Sequence, residues 1–451
     1  MKKYSLYIWS LFIVLSSLGV FLFITPVSTA DGTKVPIAIL ANTLAGKVEP
    51  YIHWFTYTVF VIAALGSLII KAFPKQKNAK INLFDSLFRV NWFWTSMRVF
   101  SVIFATMYLF DFGPSQINSD VTAGVLLDPA SGLVTYMFVL FFFAGLLLPL
   151  LTDFGLLDFF GSMMVKIMRP LFKIPGRASI DCLASWVGDG TIGVLLTSKQ
   201  YEDGNYTARE AATIATTFSV VSITFCLVVV ETIGIQDYFA EFYGTVIFSG
   251  ILLAIIMPRI YPLKRKSDTF IDGTAPQGNR EEVPEGFNVF TYGLKNALEK
   301  AEENKNLGKI VGSGLKNVLE MWFAVAPIIM AFGTIALALA EFTSFFRILG
   351  MPFEPILALL QIPEAGEAAQ TMIVGFADML LPSILGAGIE SEMTRFVIAT
   401  VSVTQLIYMS EVGGLILGTK LPIKLWDLFI IFLIRTIISL PIIALIAHLI
   451  F

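Results

Sequence analysis

The sequence contains few charged residues, two cysteines and two histidines. Only 14% of its 451 residues are Asp, Glu, Lys or Arg, whereas 56% are hydrophobic, and this composition excludes an ordinary water-soluble globular protein. Cys182 and Cys226 lie in apolar segments, which argues against a secreted disulfide framework. His53 and His448 lie at predicted helix ends, without a partner pattern that would indicate a metal site. We therefore expect a membrane protein that holds no resident metal.

Motifs for ATP hydrolysis, covalent catalysis and nucleic-acid binding are also missing. The sequence has no glycine-rich phosphate loop, nucleophile elbow or zinc motif, and it has no basic patch of the kind that binds nucleic acid. We therefore expect no enzymatic activity, no cofactor and no nucleic-acid partner. Any transport must be driven by a gradient or be passive.

Long apolar runs dominate the sequence instead. A helix needs roughly 20 mostly apolar residues to cross about 30 Å of hydrocarbon. Such runs occur at residues 6–27, 50–71, 96–112, 132–152, 208–230, 241–260, 316–341, 393–418 and 426–449. The first run is long enough to span the bilayer, so we interpret it as a retained helix rather than a signal peptide. We therefore predict an all-α polytopic membrane protein with about nine transmembrane helices.

The distribution of lysine and arginine orients these segments. Lys2 and Lys3 precede the first run, residues 71–98 carry six basic side chains, and residues 113–131 carry none. Basic residues accumulate on the cytoplasmic side of membrane proteins. We therefore expect a multi-pass protein of the plasma (inner) membrane with its N-terminus in the cytoplasm.

Two further apolar segments are interrupted in their middle. Residues 178–201 are broken by a Gly-Asp-Gly sequence and have a basic flank, whereas residues 364–390 are broken around Gly375 and Asp378 and have acidic flanks. Each arm has about ten residues, or about 15 Å of helix, so each tip would stop near the middle of the bilayer. The flanking charges place the first hairpin on the cytoplasmic side and the second on the outer side. We therefore predict two re-entrant helical hairpins.

The two hairpins belong to an internal repeat whose halves are inverted. Pro170 matches Pro355, Asp189 matches Asp378, and an Ile-Ala-Thr sequence recurs downstream of both hairpins. Paired discontinuous helices in inverted halves indicate a transporter binding site near the midplane of the membrane. The predicted domains are an N-terminal helical scaffold (1–130), the first repeat (131–261), a cytoplasmic linker (262–315) and the second repeat (316–451).

Polar residues at the two tips and on two neighbouring spans form the candidate site. Asp189 and Asp378 would be costly to expose to lipid, so we expect them to face a polar cavity, although each could instead cap a half-helix. Glu411 is a further intramembrane acid, beside two glycines that suit a broken helix. We interpret Arg435 as a snorkelling residue or as the partner of an acid. The candidate solute- or ion-binding residues are Gly188, Asp189, Gly190, Thr191, Thr217, Ser219, Asp378, Thr404, Gln405, Ser410 and Glu411.

The order hairpin, polar helix, hairpin, polar helix resembles the Gate (nucleoside recognition) domain. This domain is shared by concentrative nucleoside transporters, ferrous-iron permeases and spore maturation membrane proteins, and the whole chain most resembles the YjiH-type members. The resemblance covers residues 130–450 and is carried by SWVGDGTIGVLLTSKQYEDG and GFADMLLPSILGAGIESEMTR. In such nucleoside transporters, the first hairpin and a later broken helix together hold the base and the ribose. The matching positions here read Gly188-Asp189-Gly190-Thr191 and Ser410-Glu411.

The resemblance implies a gradient-driven secondary transporter of a small polar solute, either nucleoside-like or an organic anion. Na⁺ or H⁺ would be the coupling ion. The tip lacks the glutamine, threonine and glutamate of nucleoside transporters, so the resemblance does not specify a nucleoside. The alternatives are a metal-ion permease, which requires Cys182, Cys226, Asp189 and Asp378 to converge, and a non-transporting membrane sensor or assembly protein. We expect a homo-oligomer in the lipid bilayer.

Overall fold

The chain folds almost entirely into helices. The computed structural model describes residues 4–25, 27–29, 32–72, 83–187, 190–221, 223–276 and 286–451. Strands β1 (Val27–Thr29) and β2 (Gly32–Lys34) form a short antiparallel ribbon. The other regular elements of these residues are helices and turns.

The N-terminal region is built around one long helix. Its helices are α1 (Leu6–Ser10), α2 (Ser16–Phe23), α3 (Pro36–Ala72), α4 (Leu83–Phe88), α5 (Trp92–Leu109), α6 (Ser115–Asn118) and α7 (Val125–Leu127). α3 begins well before the predicted span at 50–71. Residues 36–49 are rich in alanine and leucine, which favour helix, and the helix continues through Pro50.

The first repeat contains the first hairpin and a broken helix. Its helices are α8 (Leu133–Leu147), α9 (Pro149–Thr152), α10 (Leu156–Phe172), α11 (Ala178–Val187), α12 (Gly190–Glu202), α13 (Ala208–Thr217), α14 (Ile223–Ile233) and α15 (Phe239–Ile256). α11 and α12 are the arms of the hairpin, close to the predicted bounds. α13 and α14 correspond to the span predicted at 208–230, which is therefore two half-helices and not one continuous helix.

The second repeat has the same order of elements. The remaining helices are α16 (Val289–Glu303), α17 (Leu307–Glu320), α18 (Ala326–Phe342), α19 (Phe345–Gly350), α20 (Glu354–Leu359), α21 (Ala365–Thr371), α22 (Leu381–Gly386), α23 (Glu392–Gln405), α24 (Val412–Gly418) and α25 (Leu425–Ile450). α21 and α22 are the arms of the second hairpin. α23 and α24 replace the continuous span predicted at 393–418.

Six helical segments of the described chain are long and apolar enough to cross a membrane. They are Leu6–Phe23, Pro36–Ala72, Leu133–Thr152, Gln236–Arg265, Gly308–Phe342 and Leu425–Ile450. Several crossings make this a multi-pass membrane protein. The two broken helices of the repeats are not among the six, because each half alone is too short to span the hydrocarbon.

The last helix gives the relative orientation of the hairpins. α25 has 26 residues, about 39 Å of helix, which exceeds the thickness of the hydrocarbon core. Shortly before it begins, Lys420 Nζ lies 2.6 Å from Glu202 Oε2 at the end of the first hairpin. Near its other end, His448 Nε2 lies 2.8 Å from the carbonyl oxygen of Leu360, just before the second hairpin. The hairpin roots therefore lie at opposite ends of α25.

Helix α16, within the predicted linker, packs tightly on α10. A Cβ atom at Gly293 would lie 2.8 Å from the carbonyl oxygen of Phe159. Gly155, which has a φ of +92°, approaches Ala297 so closely that a Cβ atom there would lie 2.5 Å from the Ala297 Cα atom. Glycine at both positions allows the two backbones to approach. The linker thus contains a docked helix.

We predict that cysteines introduced at Asp203 and Glu390 react with a membrane-impermeant thiol reagent from opposite sides of the membrane. Both side chains are exposed, and each follows the second arm of its hairpin. The measurement is thiol labelling in oriented vesicles, after the native Cys182 and Cys226 have been replaced by alanine. Labelling of both positions from the same side would contradict the inverted arrangement.

Candidate functional site

The arms of the first hairpin are held together by a close glycine contact. A Cβ atom at Gly193 of α12 would lie only 2.5 Å from the Cβ atom of Ser185 on α11. Glycine at this position therefore lets the two arms pack against each other. α12 is buried from Gly190 to Ser198, and Thr191 is completely buried. The predicted tip residues Gly188 and Asp189 lie outside the described residues, whereas Gly190 starts the second arm.

The helix break of the first repeat follows Thr217. Ser219 lies in the break, where its hydroxyl donates to the carbonyl oxygen of Ala215 at 2.7 Å. The carbonyl oxygen of Ser219 lies 3.1 Å from the position that a Cβ atom of Gly190 would take. A side chain at Gly190 would therefore crowd this carbonyl, so glycine allows the hairpin tip to approach the helix break.

Thr217 faces away from the break, contrary to its grouping with the other candidates. Its hydroxyl is buried and makes no hydrogen bond. It lines an apolar groove of about 330 Å³ on the opposite side of the hairpin, together with Met168, Cys182 and Tyr243. The sequence pattern could not show this, because the helical phase of a side chain is lost where the helix ends.

The tip of the second hairpin is tied to the helix break of its own repeat. Asp378 Oδ1 accepts a hydrogen bond from the backbone N–H of Leu380 at 2.9 Å, and Asp378 Oδ2 accepts one from the hydroxyl of Ser410 at 2.7 Å. The backbone N–H groups of Met409 and Ser410 donate to the carbonyl oxygens of Phe376 and Ala377 at 2.8 and 3.0 Å. Asp378 therefore caps the start of α22 and also joins the tip to the break.

Thr404 and Gln405 end α23 with side chains that make local contacts. The Thr404 hydroxyl donates to the carbonyl oxygen of Thr400 at 2.9 Å. Gln405 Nε2 donates to the carbonyl oxygen of Met372 at 2.7 Å and to the hydroxyl of Thr436 at 2.9 Å. These two side chains therefore hold α23 to the second hairpin and to α25.

A small cavity lies where both hairpins and both helix breaks meet. Its volume is about 30 Å³, which is room for about two water molecules. It is lined by Gly190, Ser219, Val221, Phe225, Met379, Tyr408, Glu411 and Val412. Of the sequence-predicted residues, Gly190, Ser219 and Glu411 line this central cavity. Asp378 and Ser410 each adjoin a lining residue.

The backbone around the central cavity contributes partial charges. α12 begins at Gly190, and α14 begins just after Val221. The N-terminal end of a helix carries a partial positive charge. Glu411, which precedes α24, supplies a carboxylate. The cavity thus combines backbone donors with an acidic acceptor, and this combination suits a polar solute.

Two polar residues of this region were not among the sequence-predicted site residues. Asp181 is 1% exposed, and its Oδ2 atom accepts a hydrogen bond from the Tyr206 hydroxyl at 2.8 Å. The signal was an aspartate in the apolar first arm of the hairpin. Tyr408 lines the central cavity, and its hydroxyl lies 2.8 Å from the carbonyl oxygen of Ser402.

Arg435 neither snorkels nor meets an acid. Its side chain is completely buried, and it donates to the carbonyl oxygen of Thr404 through Nη2 at 2.7 Å and Nε at 3.0 Å. Its Nη1 atom lies 3.5 Å from the carbonyl oxygen of Thr216. The partners are backbone groups, which the sequence does not display.

No group of three or more His, Cys, Asp or Glu side chains within the described ranges could hold a metal ion. Cys182 lines the apolar groove, and Cys226 is buried within α14. The convergence of Asp189 with these cysteines cannot be assessed, since Asp189 lies outside those ranges.

Solved structures with a similar course of the chain come from the protein CNTnw. One double variant in an outward-facing state is 13% identical, with 98% of each chain covered and a TM-score of 0.43. Another is 14% identical, with 92% of this chain and 99% of that chain covered and a TM-score of 0.41.

Comparison of sequences is more specific. The Gate family, described as nucleoside recognition, matches residues 134–236, which contain the first hairpin and the broken helix after it. The uncharacterized protein BpOF4_10220 of Alkalihalophilus pseudofirmus is 48% identical over 440 residues, which cover 98% of this chain and 94% of that protein. The predicted resemblance to Gate-domain proteins is confirmed. The chain belongs to the same family as the A. pseudofirmus protein and is a multi-pass membrane protein with a Gate (nucleoside recognition) domain.

Proposed function

We propose that the protein is a gradient-driven secondary transporter that binds a small polar solute at the central cavity. One observation carries this proposal: the cavity is bounded by Gly190 and Met379 beside the two hairpin tips and by Ser219 and Glu411 at the two helix breaks. Secondary transporters built from inverted repeats bind solute where their discontinuous helices meet. The match to a domain described as nucleoside recognition supports the same function.

The polar groups of the cavity favour a solute that donates hydrogen bonds. A carboxylate is an acceptor only, so Glu411 pairs well with hydroxyl or amine groups. Asp378 lies next to the cavity-lining Met379, and Asp189 precedes Gly190 in the chain. An organic anion would be repelled by acids on this side of the cavity. We therefore assign a nucleoside-like, neutral solute to the site ahead of an organic anion.

The cavity is closed around a space much smaller than such a solute. Pockets for drug-sized ligands measure about 300–1,000 Å³, whereas this cavity measures about 30 Å³. Solute entry therefore requires the hairpins to move. The Asp378–Ser410 hydrogen bond closes the cavity toward the root of the second hairpin. The Glu202–Lys420 ion pair joins the end of the first hairpin to the end of α24 on the opposite side. We propose that these two contacts open alternately.

The first prediction concerns transport. We expect Glu411→Gln to lower the initial rate of solute uptake by at least about tenfold, or about 1.4 kcal/mol, because it removes the charged acceptor of the cavity. Asp189→Asn and Asp378→Asn should retain uptake if these aspartates only cap helices, and should lose gradient-driven accumulation if they couple it. The measurement is uptake of a panel of radiolabelled nucleosides and organic anions into proteoliposomes, with a proton or a sodium gradient.

The matched control is Glu241→Gln, since Glu241 is exposed at the start of α15. Its uptake should equal that of the wild type. If the wild type accumulates no solute of the panel, the transport proposal fails and a sensor or assembly role replaces it. If all three acidic variants concentrate solute as well as the wild type, the assignment of the site fails.

The second prediction concerns the closure at Asp378. Asp378→Ala removes the acceptors for the Leu380 N–H and for the Ser410 hydroxyl, so it should lower the free energy of unfolding by about 1–3 kcal/mol. Asp378→Asn keeps an oxygen for the N–H and an amide that can donate to Ser410, so it should cost less. Thermal melting in detergent measures the difference, and equal melting temperatures for both variants would contradict the paired roles of Asp378.

A further inference from the structure

Two half-helices of opposite repeats end beside the same side chain. α13 ends at Thr217 and α23 ends at Gln405, and both ends face α25 near Arg435. The last four carbonyl groups of a helix lack partners within the helix, and together they carry a partial negative charge. Lipid offers no donors for them, so they must be satisfied within the protein.

Most of these carbonyls have identified donors. In the first repeat, the Ser219 hydroxyl donates to the carbonyl oxygen of Ala215. In the second repeat, the Tyr408 hydroxyl lies 2.8 and 3.0 Å from the carbonyl oxygens of Ser402 and Val403. The carbonyls next in line are those of Thr216 and Thr404, and both face the guanidinium of Arg435.

Arg435 meets these two carbonyls with a full positive charge. The distances to the Thr404 oxygen are 2.7 Å from Nη2 and 3.0 Å from Nε, and the distance to the Thr216 oxygen is 3.5 Å from Nη1. The side chain is completely buried. Throughout the described part of the chain, no carboxylate lies within ion-pair distance of it. Its counter-charge is thus the pair of half-helix ends.

In transporters with discontinuous helices, unwound carbonyls and half-helix C-termini are the groups that coordinate a coupling sodium ion. We propose that the guanidinium of Arg435 is a tethered cation that takes the place of such an ion between the two repeats. A guanidinium is always charged, and its planar fork of five N–H donors reaches carbonyls on two different helices. A lysine would offer a single compact charge on a flexible stem.

The assignment has a consequence for ion coupling, and this part rests on the proposed transport function. A tethered cation cannot cross the membrane, so it cannot carry the energy of an ion gradient. It occupies carbonyls that would otherwise attract sodium. Solute binding and uptake therefore do not require sodium at this position, and any coupling ion acts at the acidic groups around the central cavity.

The test compares variants of two buried arginines. Arg435→Met removes the charge and leaves room for an ion between the half-helix ends. Arg98→Met is the matched control: Arg98 on α5 is 1% exposed and also donates to a backbone carbonyl, that of Leu87, at 2.9 Å, but it lies far along the chain from both half-helix ends. Melting temperatures are measured in detergent, in sodium chloride and in choline chloride of equal ionic strength.

We expect the wild type to melt at the same temperature in both salts. Arg435→Met should melt several degrees lower in choline chloride and should recover at least half of the loss in sodium chloride, since sodium enters the vacated position. Arg98→Met should be destabilised equally in both salts. Arg435→Lys, which keeps a tethered charge, should show no sodium response. If Arg435→Met yields no folded protein, Arg435→Gln, whose amide keeps a donor, carries the same comparison.

Two outcomes would overturn the assignment. One is an Arg435→Met variant, or its glutamine substitute, that gains no sodium-specific stability beyond that of Arg98→Met. The other is a wild type that sodium stabilises as strongly as it stabilises Arg435→Met. Uptake by the wild type should also be equal with external sodium or choline. A protein that takes up no solute would refute the transport proposal, whereas the melting comparison would still decide the role of Arg435.

Discussion

Interrupted helices inside an apolar protein require partners for every backbone group that they release. Lipid cannot supply hydrogen bonds, and each unsatisfied group costs several kcal/mol. The breaks after Thr217 and Gln405 meet this requirement with groups from other elements: a guanidinium from α25, a tyrosine hydroxyl from within the second break, and two backbone pairs to the second hairpin. The contacts that satisfy the breaks therefore also bring the two repeats together.

The central cavity is a product of the same constraint. Its walls are the points where helices stop, so its lining contains backbone groups and few large side chains between Gly190 and Glu411. Because the hairpin tips are held to these breaks by short contacts such as Asp378–Ser410, opening the cavity and exposing the breaks are one event. Solute that supplies donors and acceptors in the opened state replaces the contacts that were lost.

Much of this arrangement could be predicted from the sequence, because it depends on hydrophobicity and charge. Apolar runs and basic loops indicated a multi-pass protein, and Gly-Asp-Gly and Gly375 to Asp378 marked the two hairpins. The start of α3 was wrong because propensity extended the helix ahead of Pro50. The break after Thr217 was missed, since the residues that follow it are as apolar as a continuous span. Arg435 was misinterpreted because its partners are carbonyl oxygens, which every residue has and no sequence pattern reveals.

The two hairpins differ in construction. The first has arms of 10 and 13 residues in contact at Gly193, whereas the second has arms of 7 and 6 residues with the irregular stretch 372–380 between them. Helices as short as the latter have little stability of their own and depend on the contacts around them. The second hairpin can therefore be displaced at lower free-energy cost than the first. A transport cycle built on this chain would be kinetically asymmetric, with rapid exchange of solute on the side of the second hairpin and a slower step on the side of the first.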